Sequence, residues 1–323
     1  MVPLVITTIN NNTKALKEFE KQKNVFPIII GDEKGPKELK TKGKFLSFND
    51  QLNLKSSFAK ICPANHYSRK NIGYIIAKKF GSTLVLESDD DNCPYSDWLQ
   101  SWPKMNLKIN VCKTNDKSEW INIYKMFSDK KIWPRGYPLS KINNDKNIKI
   151  SNSRVKVGVW QGLANGEPDV DAIYRLTNVG ETIFNENQIA LASGAYCPIN
   201  SQNTLWQIKF VPLMYLPCTV SFRYTDILRG IIAQHLLFCY GYTVGFCSAN
   251  VYQERNEHNL ITDFQDEIEM YKHQEDIINI LKKTDISQNS IQEDLISIYK
   301  VLSHKGVVES SEMTFLQAYL EDI

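Results

Sequence analysis

In residues 66–91 a predicted helix, a glycine and a predicted buried strand follow directly one after another. In the helical part, apolar side chains recur three to four residues apart: Ile72, Ile75, Ile76 and Phe80. Gly81 follows where a helix commonly ends, since glycine adopts the left-handed conformation without strain. The next stretch, STLVLES, is continuously apolar at its centre, as in a strand buried on both faces of a parallel sheet. A helix that leads into such a strand predicts an α/β fold with crossover connections.

Apolar segments upstream extend this prediction to a doubly wound sheet. VPLVITTI and FPIIIGD have the composition of strands, and KFLSF predicts a shorter third one. The carboxyl ends of parallel strands meet at one edge, where open α/β sheets bind their ligands. Polar residues follow three of the predicted strands at that edge: Asn10, Asp32 and the run Asp89, Asp90 and Asp91. We therefore expect a ligand site there.

The chain becomes helical in character after residue 250. Two apolar stripes with helical spacing follow: Phe264, Ile268, Tyr271, Ile278 and Leu281, then Ile291, Leu295, Ile298 and Leu302. A third helix begins near a serine cap in the stretch SSEMTFLQAYLEDI. We predict two parts, an α/β domain over residues 1–253 and a helical region over residues 254–323 that packs on it.

Charge and cysteine use limit the function classes open to the chain. Its 38 Lys and Arg nearly balance its 36 Asp and Glu, so a surface for nucleic acid is not expected. Seven cysteines without C-x-x-C spacing argue against structural zinc and are typical of free thiols in a reducing compartment. No apolar run approaches the ~20 residues of a spanning helix. We expect a cytoplasmic protein, at most peripheral to a membrane, or a Golgi-lumenal one if the chain is a piece of a longer protein.

The three consecutive aspartates repel one another unless a positive group lies among them. In an extended turn the first and third side chains point the same way, so Asp89 and Asp91 can share a cation while Asp90 turns elsewhere. Mg²⁺ prefers oxygen ligands and often bridges carboxylates to substrate phosphates. The alternative is a solvated turn whose aspartates cap a helix beginning near Pro94. The pattern alone fits both interpretations.

A basic group opens the helix that leads to these aspartates. Arg69, Lys70 and Asn71 stand at its predicted N-terminus, where cationic side chains oppose the helix dipole. A bound anion would offset that penalty, because helix N-termini and arginine both receive phosphate. The alternative is a solvated basic turn.

The segment TDILRG predicts a helix with two different faces. Thr225 is a suitable N-cap, and Asp226 and Arg229 share a stripe with small residues beside an apolar stripe. The functional interpretation gives Asp226 to an acceptor hydroxyl and Arg229 to a departing phosphate. A structural salt bridge between these two is the alternative. Trp133 and Trp160 can stack on a sugar or base, although most tryptophans are packing residues.

Several motifs together resemble known enzymes. R-K-N-x-G, followed by an apolar strand and D-D-D, resembles the nucleotide-sugar half of GT-A glycosyltransferases. WPRGYPL and INIYKMF are similar to the reversibly glycosylated polypeptide, or UDP-arabinopyranose mutase, family. VSFRYTDILRGIIAQHLL resembles the STELLO-type glycosyltransferases more closely, as do DFQDEIEMYKHQEDIINIL and FLQAYLEDI. The similarity extends from about Arg69 to Ile323.

The resemblance implies a GT-A-like, Rossmann-like nucleotide-sugar domain with a mixed, mainly parallel sheet and a C-terminal helical appendage. It implies that Asp89 and Asp91 bind Mn²⁺ or Mg²⁺ with His258 as a third ligand, and that the basic residues touch nucleotide or diphosphate. It also implies that Arg135, displayed by a Pro–Gly turn, is the arginine that the mutase family glycosylates reversibly. For His258, a solvated surface residue is the alternative.

These expectations point to a metal-dependent glycosyltransferase that uses a nucleoside-diphosphate sugar, with UDP-sugars favoured, and a glycan-type acceptor. Asp226 would be the general base of an inverting reaction or would orient the acceptor in a retaining one. The predicted substrate-binding residues are Asn10, Asp32, Arg69, Lys70, Asn71, Asp90, Arg135, Trp160 and Arg229. The alternatives are a nucleotide-sugar mutase, which needs no acceptor, and a catalytically silent scaffold of a glycan-synthesis complex.

Overall fold

The structure, a computed structural model, describes residues 1–114, 119–143, 148–255 and 259–323. Its strands are β1 (Val2–Thr8), β2 (Val25–Gly31), β3 (Lys44–Leu46), β4 (Leu84–Asp89), β5 (Asn92–Pro94), β6 (Asn106–Thr114), β7 (Ile148–Gly166), β8 (Gln188–Leu191), β9 (Asn203–Gln207) and β10 (Thr243–Gln253). Its helices are α1 (Lys14–Lys21), α2 (Phe48–Leu52), α3 (Ser57–Ile61), α4 (Lys70–Lys78), α5 (Ala172–Thr177), α6 (Thr225–Cys239), α7 (Leu260–His273), α8 (Ile277–Lys282), α9 (Ile291–His304) and α10 (Glu312–Asp322).

The strands form one mixed sheet in the order β3-β2-β1-β4-β9-β7-β6-β8-β10-β5, and β7 also pairs with β10. Strands β3, β2, β1 and β4 are parallel, as predicted for this part of the chain. Beyond β4 most pairings are antiparallel, including those of β9 with β4 and β7 and that of β6 with β7. The prediction of a mainly parallel sheet is therefore wrong for the sheet as a whole. Between α4 and α6 the described chain has one short α-helix, α5, and three 3₁₀ helices, whereas parallel neighbours need long crossovers.

The predicted succession of helix, glycine and strand is present. A 3₁₀ turn at Tyr67–Arg69 opens α4, and Gly81 adopts a φ of 77° just after the helix ends. Gly73 of α4 lies so close to β1 that an added Cβ would come within 2.2 Å of the Val5 side chain. This close approach packs α4 on the parallel strands and brings its first turn next to the end of β4.

The C-terminal helices share a hydrophobic core with the α/β part. One buried cluster contains side chains of α4, α6, α8, α9 and α10 together: Ile72, Leu228, Ile231, Leu281, Ile298 and Leu316. The division of the chain at residue 253 stays a prediction. Within the described ranges, no helix is long and apolar enough to cross a membrane. The seven cysteines are free thiols.

Two carboxylates tie α10 to distant segments. Glu312, in its first turn, accepts hydrogen bonds from the backbone N–H groups of Cys218 and Thr219 at 3.0 and 2.8 Å. Asp322, at its end, accepts from Ser56 Oγ at 2.5 Å and from the Phe58 N–H at 2.9 Å. The helix therefore holds the start of α3 and the loop before α6 at the same time.

Candidate active site

A cavity of about 470 Å³ opens at the edge of the sheet where β1, β2 and β4 end. The register of these parallel strands sets Thr7 beside Asp89 and Thr8 beside Gly31, so their carboxyl ends are level. Residues from the mixed part of the sheet and its loops complete the lining: Gln202, Phe222, Arg223, Asp226, Gln253 and Arg255. The cavity lies at the edge where the sequence predicts a ligand site.

Asp89 is the most fully paired of the three aspartates in the cavity wall. Its Oδ1 accepts hydrogen bonds from Tyr67 Oη at 2.6 Å and from Lys70 Nζ at 2.9 Å. Lys70 is fully buried and also donates to the carbonyls of Ser88 and Ser201 at 2.8 and 2.9 Å. Lys70 therefore supports Asp89 from within the protein and does not line the cavity. The structure does not place it where the predicted phosphate would bind.

Asp90 and Asp91 carry charge that the protein compensates less well. Asp90 accepts from Thr8 Oγ1 at 2.5 Å, and burial raises its pKa. Asp91 accepts from Gln253 Nε2 at 3.0 Å, and burial, together with repulsion from Asp89, raises its pKa to about 6. In the part of the chain that the structure describes, neither aspartate forms an ion pair with Lys or Arg. A cation at this wall would relieve both carboxylates.

Asn10 and Asp32 also line the cavity. Asn10 donates through Nδ2 to Asp90 at 3.1 Å and so fixes this aspartate against the end of β1. Asp32 accepts from the backbone N–H groups of Glu33 and Asn65 at 2.7 and 2.8 Å. Asn10 thus positions Asp90, and Asp32 joins the end of β2 to the loop before α4.

The basic residues predicted together at the start of α4 separate in the structure. Arg69 lines the cavity, but its guanidinium donates to Gln51 Oε1 at 2.9 Å and to the Cys62 carbonyl at 3.0 Å. Asn71 is fully buried and forms two hydrogen bonds of 2.8 Å with the backbone of Leu216. Since Lys70 is buried as well, only Arg69 remains near a ligand in the cavity.

Arg135 lines the cavity between two carboxylates. It donates to Asp169 at 2.8 and 2.9 Å, to Asp226 twice at 3.0 Å, and to the carbonyl of Arg223. All five N–H groups of the guanidinium are therefore used. Burial alone would raise the pKa of Asp169, but the charge of Arg135 holds it well below its usual range. A guanidinium engaged in this way has no free nitrogen for a sugar, so the geometry gives no support to glycosylation of Arg135.

Asp226 lines the cavity in the first turn of α6. It is 5% exposed, and besides Arg135 it accepts the backbone N–H of Ser201 at 3.2 Å. Tyr224, not Thr225, is the N-cap of this helix, one residue before the predicted position. The carboxylate of Asp226 therefore faces the cavity with its orientation fixed by a guanidinium and a backbone donor.

Arg229 points into the core instead of the cavity. Its Nη2 donates to Glu87 Oε1 and to the Asn200 carbonyl, both at 3.0 Å, and the side chain is fully buried. Burial would raise the pKa of Glu87, but Arg229 lowers it below the usual value. Asp226 and Arg229 do not form the salt bridge that the sequence analysis gave as the alternative. Asp226 pairs with Arg135, and Arg229 pairs with Glu87. Arg229 is thus out of reach of a phosphate in the cavity.

The tryptophans predicted as stacking platforms lie in the core. Trp160 on β7 is fully buried, and Trp133 is 5% exposed and donates through Nε1 to Asp171. Neither side chain lines the cavity, whereas Tyr67 and Phe222 do. Phe222 is 49% exposed, which makes it the aromatic side chain open to a ligand at this site.

Two arginines that the sequence analysis did not single out line the same cavity. Arg223 pairs with Glu267 through Nε at 2.9 Å and Nη2 at 2.6 Å. The Arg255 guanidinium has no carboxylate partner among the described residues. Its Nη2 donates to the carbonyls of Glu167 and Pro168 and to Gln253 Oε1, and its buried Nε has no hydrogen-bond acceptor. Burial and the nearby charges of Arg175 and Arg223 lower the pKa of Arg255. Arg223 opens the quoted R-Y-T-D motif and could have been noticed, whereas only the position of β10 reveals Arg255.

The oxygen ligands at the end of β4 suit a hard divalent cation. In the described ranges, no group of three or more His, Cys, Asp or Glu side chains is arranged to hold a metal by itself. His258, the predicted third ligand, lies outside the described residues. If Asp89 and Asp91 hold a cation, oxygens of a ligand have to complete its coordination, which is the usual arrangement for Mg²⁺.

Comparison with known proteins supports the resemblance seen in the sequence. Residues 223–323, which begin at the cavity and include α6 to α10, match the family described as STELLO glycosyltransferases. The chain is 26% identical to "Probable glycosyltransferase STELLO2" and 25% identical to "Probable glycosyltransferase STELLO1", both of Arabidopsis thaliana. Each alignment covers 99% of this chain but 44% of the relative, so the chain spans less than half of their length. The last third of the chain thus matches the model of the STELLO glycosyltransferases, and nearly its whole length is similar to two probable glycosyltransferases of that name.

Proposed function

We propose that the chain is a metal-dependent glycosyltransferase that transfers a sugar from a UDP-sugar to a glycan-type acceptor. The family matched by residues 223–323 and the names of the two relatives support glycosyl transfer as the reaction class. One observation supports the finer proposal. A single cavity contains carboxylates that lack a cation and a guanidinium that lacks an anion.

A cation-bound diphosphate supplies both missing charges. Asp90 and Asp91 have raised pKa values because burial and mutual repulsion disfavour their ionised forms. The Nε of Arg255 is buried without an acceptor, and an unsatisfied buried donor costs about 1–3 kcal/mol. A divalent cation between Asp89 and Asp91 would offset the negative charge, and phosphate oxygens would accept from Arg255. A neutral ligand would correct neither imbalance.

The residues then divide into three roles. Asp89 and Asp91 hold the cation, which offsets charge that develops on the departing diphosphate. Arg255, with Arg223 beside it, donates hydrogen bonds to phosphate oxygens. Asp226 faces the acceptor hydroxyl, as a base if the anomeric centre inverts and as an orienting acceptor if it is retained.

The proposal includes a GT-A-like fold for the donor half of the molecule. The parallel order β3-β2-β1-β4 supports it, as does the acidic turn directly after β4. The elements that follow β9 in the chain would carry the acceptor side, because Phe222 and Asp226 come from that part.

Calorimetry with UDP tests the proposal most directly. We expect UDP to bind tightly in Mn²⁺ and about a hundredfold more weakly in EDTA, since carboxylates and phosphate repel without a cation. The double variant Asp89→Asn/Asp91→Asn should lose the metal-dependent part of the affinity. Asp129→Asn, an exposed aspartate outside the cavity, is the matched control. Equal UDP affinity in the double variant and the wild type would remove the metal assignment.

A crystal grown with UDP tests where the nucleotide lies. Its uracil or ribose should come within hydrogen-bond reach of Asp32 or Arg69. Both line the cavity, Asp32 just after β2 and Arg69 just before α4. Density at the C-terminal helices would contradict this position. UDP-sugar interconversion without any acceptor would favour the mutase instead, and absence of nucleotide binding would favour the scaffold.

A further inference from the structure

Two hydroxyl groups join Asp89 to Asp226. Tyr67 Oη lies 2.6 Å from Asp89 Oδ1 and 2.5 Å from Ser201 Oγ. Ser201 Oγ in turn lies 3.3 Å from Asp226 Oδ2. The bridge therefore connects the end of β4 with the first turn of α6, which lie in the two different halves of the cavity wall.

This bridge has three contacts but only two hydroxyl protons. Each hydroxyl donates one hydrogen bond. If Ser201 donates to Tyr67, the Tyr67 proton goes to Asp89. If Tyr67 donates to Ser201, the Ser201 proton goes to Asp226. If both protons went to the carboxylates, the 2.5 Å contact between Tyr67 Oη and Ser201 Oγ would hold no proton and the two oxygens would repel. While that contact keeps its proton, the two directions exclude each other, so the carboxylate that accepts more strongly determines the direction of the bridge.

The ring of Tyr67 is held so that its hydroxyl stays in the bridge. Its centroid lies 5.2 Å from that of Phe222 in an edge contact, and Lys70 Nζ lies 5.1 Å from the ring centroid. Lys70 also donates to Tyr67 Oη at 2.9 Å.

We infer that Tyr67 is a positioning residue that makes the carboxylates of Asp89 and Asp226 respond to each other. The roles at the two ends rest on the proposed function, with the cation on Asp89 and the acceptor at Asp226. When Asp89 is engaged by a cation it accepts hydrogen bonds less strongly, so the bridge turns toward Asp226 and restrains it. Because coupling between sites is reciprocal, a change at Asp226 also alters cation affinity.

A double-mutant cycle in EDTA tests the coupling without any ligand. Melting temperatures of Asp89→Asn, Asp226→Asn and their combination are measured with Tyr67 present and in Tyr67→Phe. With Tyr67 present, the combined shift should differ from the sum of the single shifts by about 2 °C. With Tyr67→Phe, this difference should fall by at least half. The same non-additivity in both backgrounds would overturn the inference.

Two further variants keep this test decisive. Tyr95→Phe is the matched control, because Tyr95 Oη accepts from Asn165 Nδ2 at 2.9 Å outside the cavity. Ser201→Ala breaks the bridge at its other hydroxyl and serves if Tyr67→Phe does not fold. It should remove the coupling as well, and coupling that persists in Ser201→Ala would count against the inference.

Calorimetry with Mn²⁺ alone separates positioning from a purely structural role. Asp226→Asn should weaken Mn²⁺ binding about threefold more with Tyr67 present than in Tyr67→Phe, since only an intact bridge carries the change to Asp89. If Tyr67 had a purely structural role, Asp226→Asn would weaken Mn²⁺ binding equally with Tyr67 present and in Tyr67→Phe. If the wild-type chain binds no Mn²⁺ by itself, the titration is repeated with UDP present to complete the coordination. Absence of Mn²⁺ binding there would remove the proposed metal site, and the cycle in EDTA would still decide whether Tyr67 couples the two carboxylates.

Discussion

Glu87 and Asp91 lie four residues apart at the end of β4, yet the protein treats their charges in opposite ways. Glu87 is fully buried and accepts hydrogen bonds from Arg229, Tyr74 and the Trp206 indole, and its pKa is lowered. Asp91 accepts only from the neutral amides of Gln253 and Asn92 among the described side chains, and its pKa is raised to about 6.

The difference teaches how to distinguish a structural charge from a functional one. A buried charge that serves the fold is matched inside the protein, because an unmatched one costs several kcal/mol. A charge that the fold leaves unmatched is available to a ligand, although the paired Asp89 and Asp226 line the cavity as well. By this criterion Glu87 and Arg229 belong to the fold, and Asp91 and Arg255 belong to the site.

Breaking the matched pair should have the largest effect. Arg229→Met leaves Glu87 buried without its cation, and we expect the free energy of unfolding to fall by about 3–5 kcal/mol in urea denaturation. Arg154→Met, on an exposed part of β7, is the control and should change it by less than about 0.5 kcal/mol. If Arg229→Met were stable but no longer bound UDP, Arg229 would belong to the ligand site and not to the fold, contrary to the comparison.

Asp226→Asn tests whether a carboxylate paired with Arg135 still acts on the acceptor. The variant keeps the shape of the side chain, and turnover should fall about a hundredfold while UDP affinity stays within about threefold. A thermal-shift panel of UDP-sugars first identifies the donor. Steady-state kinetics with that donor then measures the turnover. Unfolding of the variant would show that the pair with Arg135 is structural, and we would then withdraw the catalytic role.

Asp91→Asn should stabilise the metal-free protein, in contrast to Glu87→Gln. The folded pKa of Asp91 is about 6, above the ordinary 3.8, so the unfolded chain loses its proton first as pH rises. The charged carboxylate therefore destabilises the fold increasingly between about pH 4 and pH 6. At pH 7 in EDTA we expect a gain of about 1–2 kcal/mol for the variant and no difference near pH 4. A loss of stability at pH 7 would mean that Asp91 is matched after all.

Arg255→Gln should have the smallest of these effects. It removes one charged donor from the diphosphate, and UDP affinity should fall about tenfold by calorimetry with Mn²⁺. Unfolding stability should be unchanged or slightly higher, because the arginine has no carboxylate partner among the described residues. Arg154→Gln serves as the control. Unchanged UDP affinity would show that the unmatched guanidinium serves another ligand.

The parallel half of the fold could be predicted because its signals are local. Continuous apolar strands, one amphipathic helix and Gly81 specify β1, β2, α4 and β4 within a short stretch of chain. The order β4-β9-β7-β6 could not be predicted in this way. It depends on pairings between distant segments, such as Ser88 with Asn203, that leave no periodic pattern in either segment.

The candidate site, too, could be predicted only in part. Asn10, Asp32 and the aspartates after β4 were placed at the cavity because strand ends share an edge. The positions of Lys70 and Arg229 were not foreseen, since whether a charged side chain on a helix turns to a cavity or to the core depends on partners far away in the chain. Here Asp89 decides the position of Lys70 and Glu87 decides that of Arg229.

The carboxylates of α10 have a consequence for the order of events during synthesis. Asp322 closes the start of α3 from 266 positions further along the chain, and Glu312 holds the loop that leads to Phe222 and Arg223. The segments beside the cavity therefore emerge from the ribosome long before the groups that secure them. A nascent chain released before residue 312 would have its parallel strands complete but both of these segments unsecured. Nucleotide binding should accordingly be acquired late, after the helices have left the ribosome exit tunnel.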